Sequence, residues 1–281
     1  MGLRIRTNVE SISAQRSLSN NQSDLNNSME RLTSGSRINR SSDDAAGLAI
    51  SENLRAKTRG ILQAKRNASD GVSLIQVAES GLNEMSNIMI RLRELTVQSA
   101  SDTIGTVERG YLQKEYEQLV AESDRISKST EFNGRKLFGE EMEQGLDIQV
   151  GYGPDELSTL KVKFGNGDKM DAEGMGLLGT NIVDGGHEEI TKNLVTLDSA
   201  LTMIASNRAT LGAMSSRLNT TINGIAVNSE NMMAANSRIR DTDFAEETAK
   251  MTQAKILSQS GLAVLAQANI KPEMALQLLR S

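Results

Sequence analysis

The stretch Ile75–Thr96, IQVAESGLNEMSNIMIRLRELT, carries one row of apolar or small residues at steps that alternate between three and four. The row consists of Ile75, Ala78, Leu82, Met85, Met89, Leu92 and Thr96. Residues at this spacing lie along one side of an α-helix and are typical of helices that pack against other helices along a narrow stripe. The stretch therefore predicts a long helix inside a mainly α-helical protein.

Helical periodicity recurs on both sides of this stretch. Further helices are predicted over about residues 5–32, 112–126, 190–225 and 243–279. The long helix itself is predicted to begin at Asp43 and Asp44, because carboxylates are favourable at a helix N-terminus. In the two outermost helices the predicted apolar stripes include Ile5, Val9, Ile12, Leu257 and Val264.

A short segment in the middle of the chain has a different pattern. Apolar residues alternate with polar ones before and after the turn-forming run Tyr152–Asp155, at positions Leu146, Ile148 and Val150 and again at Leu160, Val162 and Phe164. A period of two on both sides of a turn indicates a β-hairpin. The sequence thus predicts three helices, a small β-hairpin around 146–164, and two more helices.

The composition excludes several classes of function. The chain has no cysteine and a single histidine, so thiol chemistry is absent and residues for general-base catalysis or metal binding are scarce. We therefore predict a protein that is not an enzyme, with no catalytic, cofactor-binding or metal site. The formal net charge of −5 and the lack of a long basic tract argue against nucleic-acid binding. No apolar run approaches the roughly 18 residues of a membrane-spanning helix.

The two ends of the chain resemble each other in type, since each is a slender amphipathic segment outside the central helices. An isolated helix is only marginally stable in water. The apolar stripes at the two ends must therefore meet each other or a neighbouring subunit, which indicates self-assembly.

Long strings at both ends carry a resemblance to a known family. They are Asn8–Arg16 (NVESISAQR), Arg31–Asn39 (RLTSGSRIN), Asp43–Ile50 (DDAAGLAI), Ser237–Glu247 (SRIRDTDFAEE) and Ala266–Asn269 (AQAN). In this order they resemble the terminal signatures of the bacterial flagellins. The resemblance extends over nearly the whole chain and is loose only between about residues 134 and 186.

The resemblance implies a fold, an organisation and a function. Residues 1–45 and 237–281 are expected to pair as a coiled coil that lines the inner tube of the flagellar filament, and residues 46–236 to form a rod-like helical bundle. The short middle implies no large outer domain. The chain is expected to polymerise with itself for motility, after unfolded export through the flagellar type III system with an uncleaved signal. Implied partners are an export chaperone, the filament cap and the hook-junction proteins.

A further implication concerns the run Arg91–Leu95. It resembles the helix stretch of some flagellins that the vertebrate innate receptor TLR5 recognises, and the matching positions are Arg91, Leu95 and Glu115. A charged helix face of this kind is more often a subunit contact or a solvated surface.

Three other functions fit parts of this sequence. A hook–filament junction protein uses the same export system and terminal architecture but forms a short ring, so growth of long polymers distinguishes the two. A chemoreceptor-like coiled coil fits the Ala- and Ser-rich heptads but not the β insert or the lack of a membrane helix. An enzymatic domain would need a longer middle segment with catalytic residues.

Overall fold

The structure is a computed structural model that describes residues 7–138, 144–163, 170–183 and 187–278, with the backbone alone at 187–188 and 271–278. The predicted fold class is confirmed, since long helices dominate and small antiparallel strand pairs lie in the middle. The helices are α1 (Val9–Ser34), α2 (Ala45–Ser99), α3 (Thr106–Ser129), α4 (His187–Arg240) and α5 (Phe244–Leu278). The strands are β1 (Glu131–Phe132), β2 (Arg135–Lys136), β3 (Leu146–Gln149) and β4 (Thr159–Val162).

The chain divides into two compact units. One unit is formed by Met1–Thr58 with Glu230–Ser281, and the other by Arg59–Ser229. Helices α2 and α4 therefore contribute residues to both units. The assignment of 1–45 and 237–281 to an inner tube concerns the assembled filament and stays a prediction.

In the first unit, α1 and α5 pack side by side in antiparallel orientation. At one end the Asn8 side-chain amide donates to the Ala268 carbonyl at 2.8 Å, and the Ser11 hydroxyl bonds to the Asn269 side chain at 2.8 Å. At the other end Arg31 lies 3.8 Å from Glu247. Because low numbers on α1 meet high numbers on α5, the chain ends pair as the resemblance implies.

The connector that follows α1 and the connector that precedes α5 are joined to each other by backbone contacts. Ser36 and Asp241 form an isolated antiparallel β-bridge. The Arg37 amide donates to the Arg240 carbonyl at 2.6 Å, and the Thr242 amide donates to the Gly35 carbonyl at 3.1 Å. The backbone groups that leave α1 and enter α5 are thereby satisfied by each other.

The adjacent carboxylates Asp43 and Asp44 have separate structural roles before α2. The Asp44 carboxylate accepts a hydrogen bond from the Gly47 amide at 2.8 Å and caps the helix, as predicted. The Asp43 carboxylate accepts bonds from the amides of Arg40 and Asn39, and these bonds lower its pKa. Asp43 therefore stabilises the turn that precedes the helix.

In the second unit, the predicted row within Ile75–Thr96 is buried at all seven positions. Exposed ion pairs join α2 to both neighbouring helices: Arg91 lies 2.7 Å from Glu115 of α3, and Arg93 lies 2.8 Å from Asp198 of α4. The heptad-like row therefore forms the core of a helical bundle, as the sequence predicts.

The predicted hairpin is present, with Leu146 opposite Val162 and Ile148 opposite Leu160. Its predicted last residue, Phe164, lies outside the described residues. Ile148, Leu160 and Val162 are buried, and a Cβ at Gly71 of α2 would collide with Ile148. Glycine at this position lets the hairpin lie against the helix.

A second hairpin, β1 with β2, was not predicted. Its two-residue turn is Asn133–Gly134, and both residues have positive φ, 52° and 77°. An Asn-Gly pair is the preferred sequence for a turn with two such residues, so the signal was present. The flanking strands of two residues each are too short to show alternation.

Within the described residues, no helix combines the length and the apolar character that crossing a lipid bilayer requires.

Candidate assembly surface

The faces of α1 and α5 that meet each other form what we call the seam. On α1 it consists of Ser11, Ala14, Leu18, Asn21, Leu25, Ser28 and Leu32, and on α5 of Glu247, Met251, Ala254, Ser258, Gly261, Leu265 and Ala268. All of these residues are buried or half-buried, whereas most of their neighbours are exposed. In both helices the steps alternate between three and four, which is the spacing of a coiled coil.

Small residues bring the two helices close together along the seam. A Cβ placed on Gly261 would lie 3.4 Å from Leu18 Cδ1, in ordinary van der Waals contact. Ala254 and Ala268 are both buried on the same side of α5. A leucine of α1 thus packs onto a nearly bare stretch of the α5 backbone.

Several other large apolar residues of the pair point away from the seam, on different sides of the two helices, and together they form what we call the outer face. This face consists of Val9, Ile12 and Met29 of α1 and Phe244, Ile256, Leu257, Leu262, Val264 and Ile270 of α5, all of them exposed. An open groove of about 790 Å³ runs along the α5 part, between Phe244 and Leu257. With apolar residues on the seam as well, the apolar residues of α5 lie on several sides of the helix and do not form a single stripe.

Four of the five predicted assembly residues lie on the outer face. Val9 is 59% exposed, Ile12 51%, Leu257 44% and Val264 59%. The fifth, Ile5, lies outside the described residues. Their role in assembly stays a prediction, but in the single chain their side chains are available to a partner.

The predicted stripes themselves need a correction. Gly261 and Ala268 lie on the seam of α5, whereas Leu257 and Val264, which were placed in the same stripe, lie on the outer face. On α1, Met29 was placed in the stripe with Leu25 but is exposed. The reason is that four of the seven seam residues of α5 are small, namely Ala254, Ser258, Gly261 and Ala268, whereas a search by hydrophobicity selects their larger neighbours.

The outer face of a single chain leaves these side chains in water. Nine large apolar side chains are exposed on this one pair of helices, and groups of exposed apolar residues are typical of sites of association in soluble proteins. Removing one Leu, Ile or Val side chain from water contributes about 1.5–3 kcal/mol. Because these side chains are exposed in the monomer, copies of the chain that cover each other's outer faces would gain substantial binding free energy.

The residues predicted to contact a receptor form a second surface, on α2 and α3. Arg91 and Glu115 are exposed and hydrogen-bonded to each other, and the Glu115 carboxylate, followed by that of Glu94, raises the pKa of Arg91. Leu95 is fully buried. The structure therefore brings the two charged residues together at the surface but leaves no Leu95 side chain there for a partner to touch.

Among the described residues, no cluster of three or more His, Asp or Glu side chains is placed to bind a metal ion.

The sequence matches known proteins over nearly its whole length. Residues 5–142 match the family description "Bacterial flagellin N-terminal helical region", and residues 194–279 match "Bacterial flagellin C-terminal helical region". The flagellin of Halalkalibacterium halodurans is 42% identical over 98% of this chain and 99% of its own length. The flagellar filament 33 kDa core protein of Treponema phagedenis is 41% identical, with the same coverage.

One solved structure shares the fold at low sequence identity. It is a putative flagellar hook-associated protein from Vibrio parahaemolyticus, which aligns with a TM-score of 0.59 over 71% of this chain and 100% of that one, at 13% identity. At this identity the likeness concerns the fold alone.

Proposed function

This chain belongs to the bacterial flagellin family, and from that membership we propose that it is a structural subunit of the flagellar filament, which grows by adding copies of the same chain. The observation that carries the proposal is the outer face of α1 and α5. Its large apolar residues are exposed in the single chain, where copies of the same chain could cover them. Family membership supports a structural role rather than an enzymatic one.

We propose that the paired chain ends line the inner tube of the filament and that the bundle forms a rod around it. The assignment is 1–45 with 237–281 for the inner tube and 46–236 for the rod. The antiparallel packing of α1 on α5 supports it, because the pair presents apolar side chains that a ring of neighbours would bury. Val9, Ile12, Leu257 and Val264 are then subunit contacts.

We also propose that the chain leaves the cell unfolded through the flagellar type III system. Family membership supports this, and the seam includes polar residues such as Ser11, Asn21 and Ser258 beside its apolar ones. An export chaperone would cover the outer face before assembly. The filament cap and the hook-junction proteins would meet the same face at the two ends of the polymer.

The alternative is a hook–filament junction protein. The fold shared with a hook-associated protein is compatible with this role, but close identity to filament proteins over full length favours the filament.

Contact with TLR5 is a separate proposal for the surface around Arg91. The exposure of the Arg91–Glu115 pair supports it. Because Leu95 is buried, its side chain would not touch the receptor and would only hold α2 in place beneath the Arg91–Glu115 pair.

Seeded growth tests the proposed function. Purified chain is dissociated to monomers, mixed with short filament fragments and imaged by electron microscopy. Long uniform tubes are expected. Assembly that stops at short rings would favour the junction protein, and persistent monomers would contradict self-assembly.

A further inference from the structure

Glu247 is the one charged residue among the buried residues of the described chain, with 5% of its surface exposed. It lies on the seam, and its nearest ion-pair partner is Arg31 of α1, at 3.8 Å. Its Oε1 atom accepts no hydrogen bond within the described part of the chain. A carboxylate is therefore held inside the contact between α1 and α5, with Arg31 as its ion-pair partner across the seam and the charge of Lys250 nearby on its own helix.

This arrangement is a poor way to stabilise a helix pair. A buried ion pair compensates its loss of hydration only when its geometry is excellent and its remaining lone pairs are bonded. An apolar residue of similar size at position 247 would hold the helices together at least as well. The contribution of Glu247 is better sought in the choice of pairing, which is the best-attested use of a polar residue on a helix seam.

The apolar part of the seam leaves the register of the two helices poorly determined. In the structure Leu18 faces Gly261. Sliding α5 by seven residues in one direction would place Leu18 opposite Ala254, and sliding it in the other direction would place Leu18 opposite Ala268. In each case a leucine still meets a small residue, so packing alone discriminates weakly among the three registers.

The charged layer distinguishes the three registers clearly. When Leu18 faces Ala254, Glu247 lies opposite Leu25 and beside Asp24, so the carboxylate is buried against an apolar residue with a like charge nearby. When Leu18 faces Ala268, Glu247 lies beyond the end of α1 and Arg31 loses its partner. Only the observed register places Glu247 against Arg31.

From this difference we propose that Glu247, through Arg31, is a positioning residue that fixes the register of α5 on α1. The hydrogen bonds at the far end of the pair are exposed or half-buried, and water can replace them. The role of Glu247 is a property of the single chain. Only its consequence for the filament rests on the proposed function. In a filament, one register in every subunit would place every outer face at the same height.

The register can be measured by disulfide formation, because the chain has no cysteine of its own. Leu18→Cys is combined with Gly261→Cys for the observed register, with Ala254→Cys for one shifted register and with Ala268→Cys for the other. A Cβ on Gly261 would lie 3.8 Å from Leu18 Cβ, which suits a disulfide. Rates of disulfide formation are compared in the full chain, both as monomer and after seeding.

In the otherwise unchanged chain, the 18–261 pair is expected to oxidise about a hundredfold faster than the 18–254 pair, the factor that a buried, unpartnered charge imposes. The 18–268 pair should also oxidise more slowly than the 18–261 pair, because in that register Arg31 loses its partner. With Glu247→Leu the ratio of the 18–261 rate to the 18–254 rate is expected to fall to about tenfold or less, since the penalty of the buried charge disappears. Glu246→Leu, an exposed neighbour, is the matched control and should leave the ratio unchanged. The exchange Arg31→Glu with Glu247→Arg should restore the selectivity, which general destabilisation would not do.

If the ratio of oxidation rates is unchanged in Glu247→Leu, the proposal is overturned. The register would then be fixed by the bridge between Ser36 and Asp241. Failure of the exchange to restore selectivity would overturn the role of the pair. Because the ratio is measured in monomers as well, a chain that never polymerises refutes the proposed function without affecting this test.

Discussion

Leu18 of α1 packs directly onto Gly261 of α5, and a Cβ on the glycine would lie 3.4 Å from Leu18 Cδ1. This contact joins the two ends of the chain, which are far apart in the sequence. It also shows why α5 has a small residue on the seam at this point while its larger neighbours face outwards. The seam has room for small side chains, so Leu257 and Val264 remain exposed for other copies of the chain.

The first prediction concerns the space at Gly261. Gly261→Leu should destabilise the α1–α5 pair by about 1–3 kcal/mol, because the larger side chain must push Leu18 away. Gly261→Ala is the matched control and should be neutral or stabilising by up to about 1 kcal/mol, since alanine favours helix and fits the space. Chemical denaturation followed by circular dichroism measures both. Equal stability of the two variants would show that the helices are not in close contact here.

The second prediction concerns the loss of α5. A chain truncated after Arg240 should remain a soluble monomer with a folded bundle, while α1 frays because a lone helix is marginal in water. Proteolysis should then cleave within residues 9–34 and spare α2. Filaments formed by the truncated chain would contradict assembly through paired ends.

The third prediction concerns acid sensitivity near the connectors. Glu52 accepts a hydrogen bond from Arg240, and this bond, more than the nearby charge of Arg55, lowers the pKa of Glu52 from its ordinary 4.5. A carboxylate with a lowered pKa stabilises the fold above its unfolded pKa and loses that effect as the pH falls through its folded pKa. Glu52→Gln should therefore lower the melting temperature at pH 7.

The difference in melting temperature between Glu52→Gln and the unchanged chain should shrink as the pH falls below 4.5 and vanish in stronger acid. Melting curves from pH 7 to pH 3 measure it. A difference that stays constant over this range would show that Glu52 does not act through its charge.

The fourth prediction concerns the surface around Arg91. If this surface contacts TLR5, Arg91→Ala and Glu115→Ala should each reduce receptor signalling while the bundle stays folded, because exposed ion pairs contribute only about 0–1 kcal/mol to stability. Leu95→Ala should instead destabilise the bundle by about 2–5 kcal/mol, as expected for a buried leucine. Reporter cells and thermal melting separate the two effects. Normal signalling by both charge variants would remove the receptor proposal.

The helices, the hairpin around 146–164 and the capping role of Asp44 could all be predicted from the sequence, because each depends on periodicity or on local backbone chemistry. The assignment of faces on α5 could not. Periodicity gives the spacing of a stripe but not which of two adjacent stripes meets the partner. Leu257 and Ser258 differ by one position, and the small residue takes the seam because the helix axes are close. The burial of Glu247 likewise depends on the register of α1 on α5, which no local signal encodes.

The most direct test of the account is seeded elongation of the variants Leu257→Asp and Val264→Asp. Each places a charge on the outer face, where it is tolerated in the monomer but would be buried at the cost of an unpaired charge in the filament. Leu157→Asp, at a leucine of the second unit that is 95% exposed, makes the same chemical change away from the outer face. We expect both α5 variants to stay folded monomers that fail to extend seeds, while Leu157→Asp extends them normally. Normal filaments from both α5 variants would show that the outer face is not the surface through which the chain assembles.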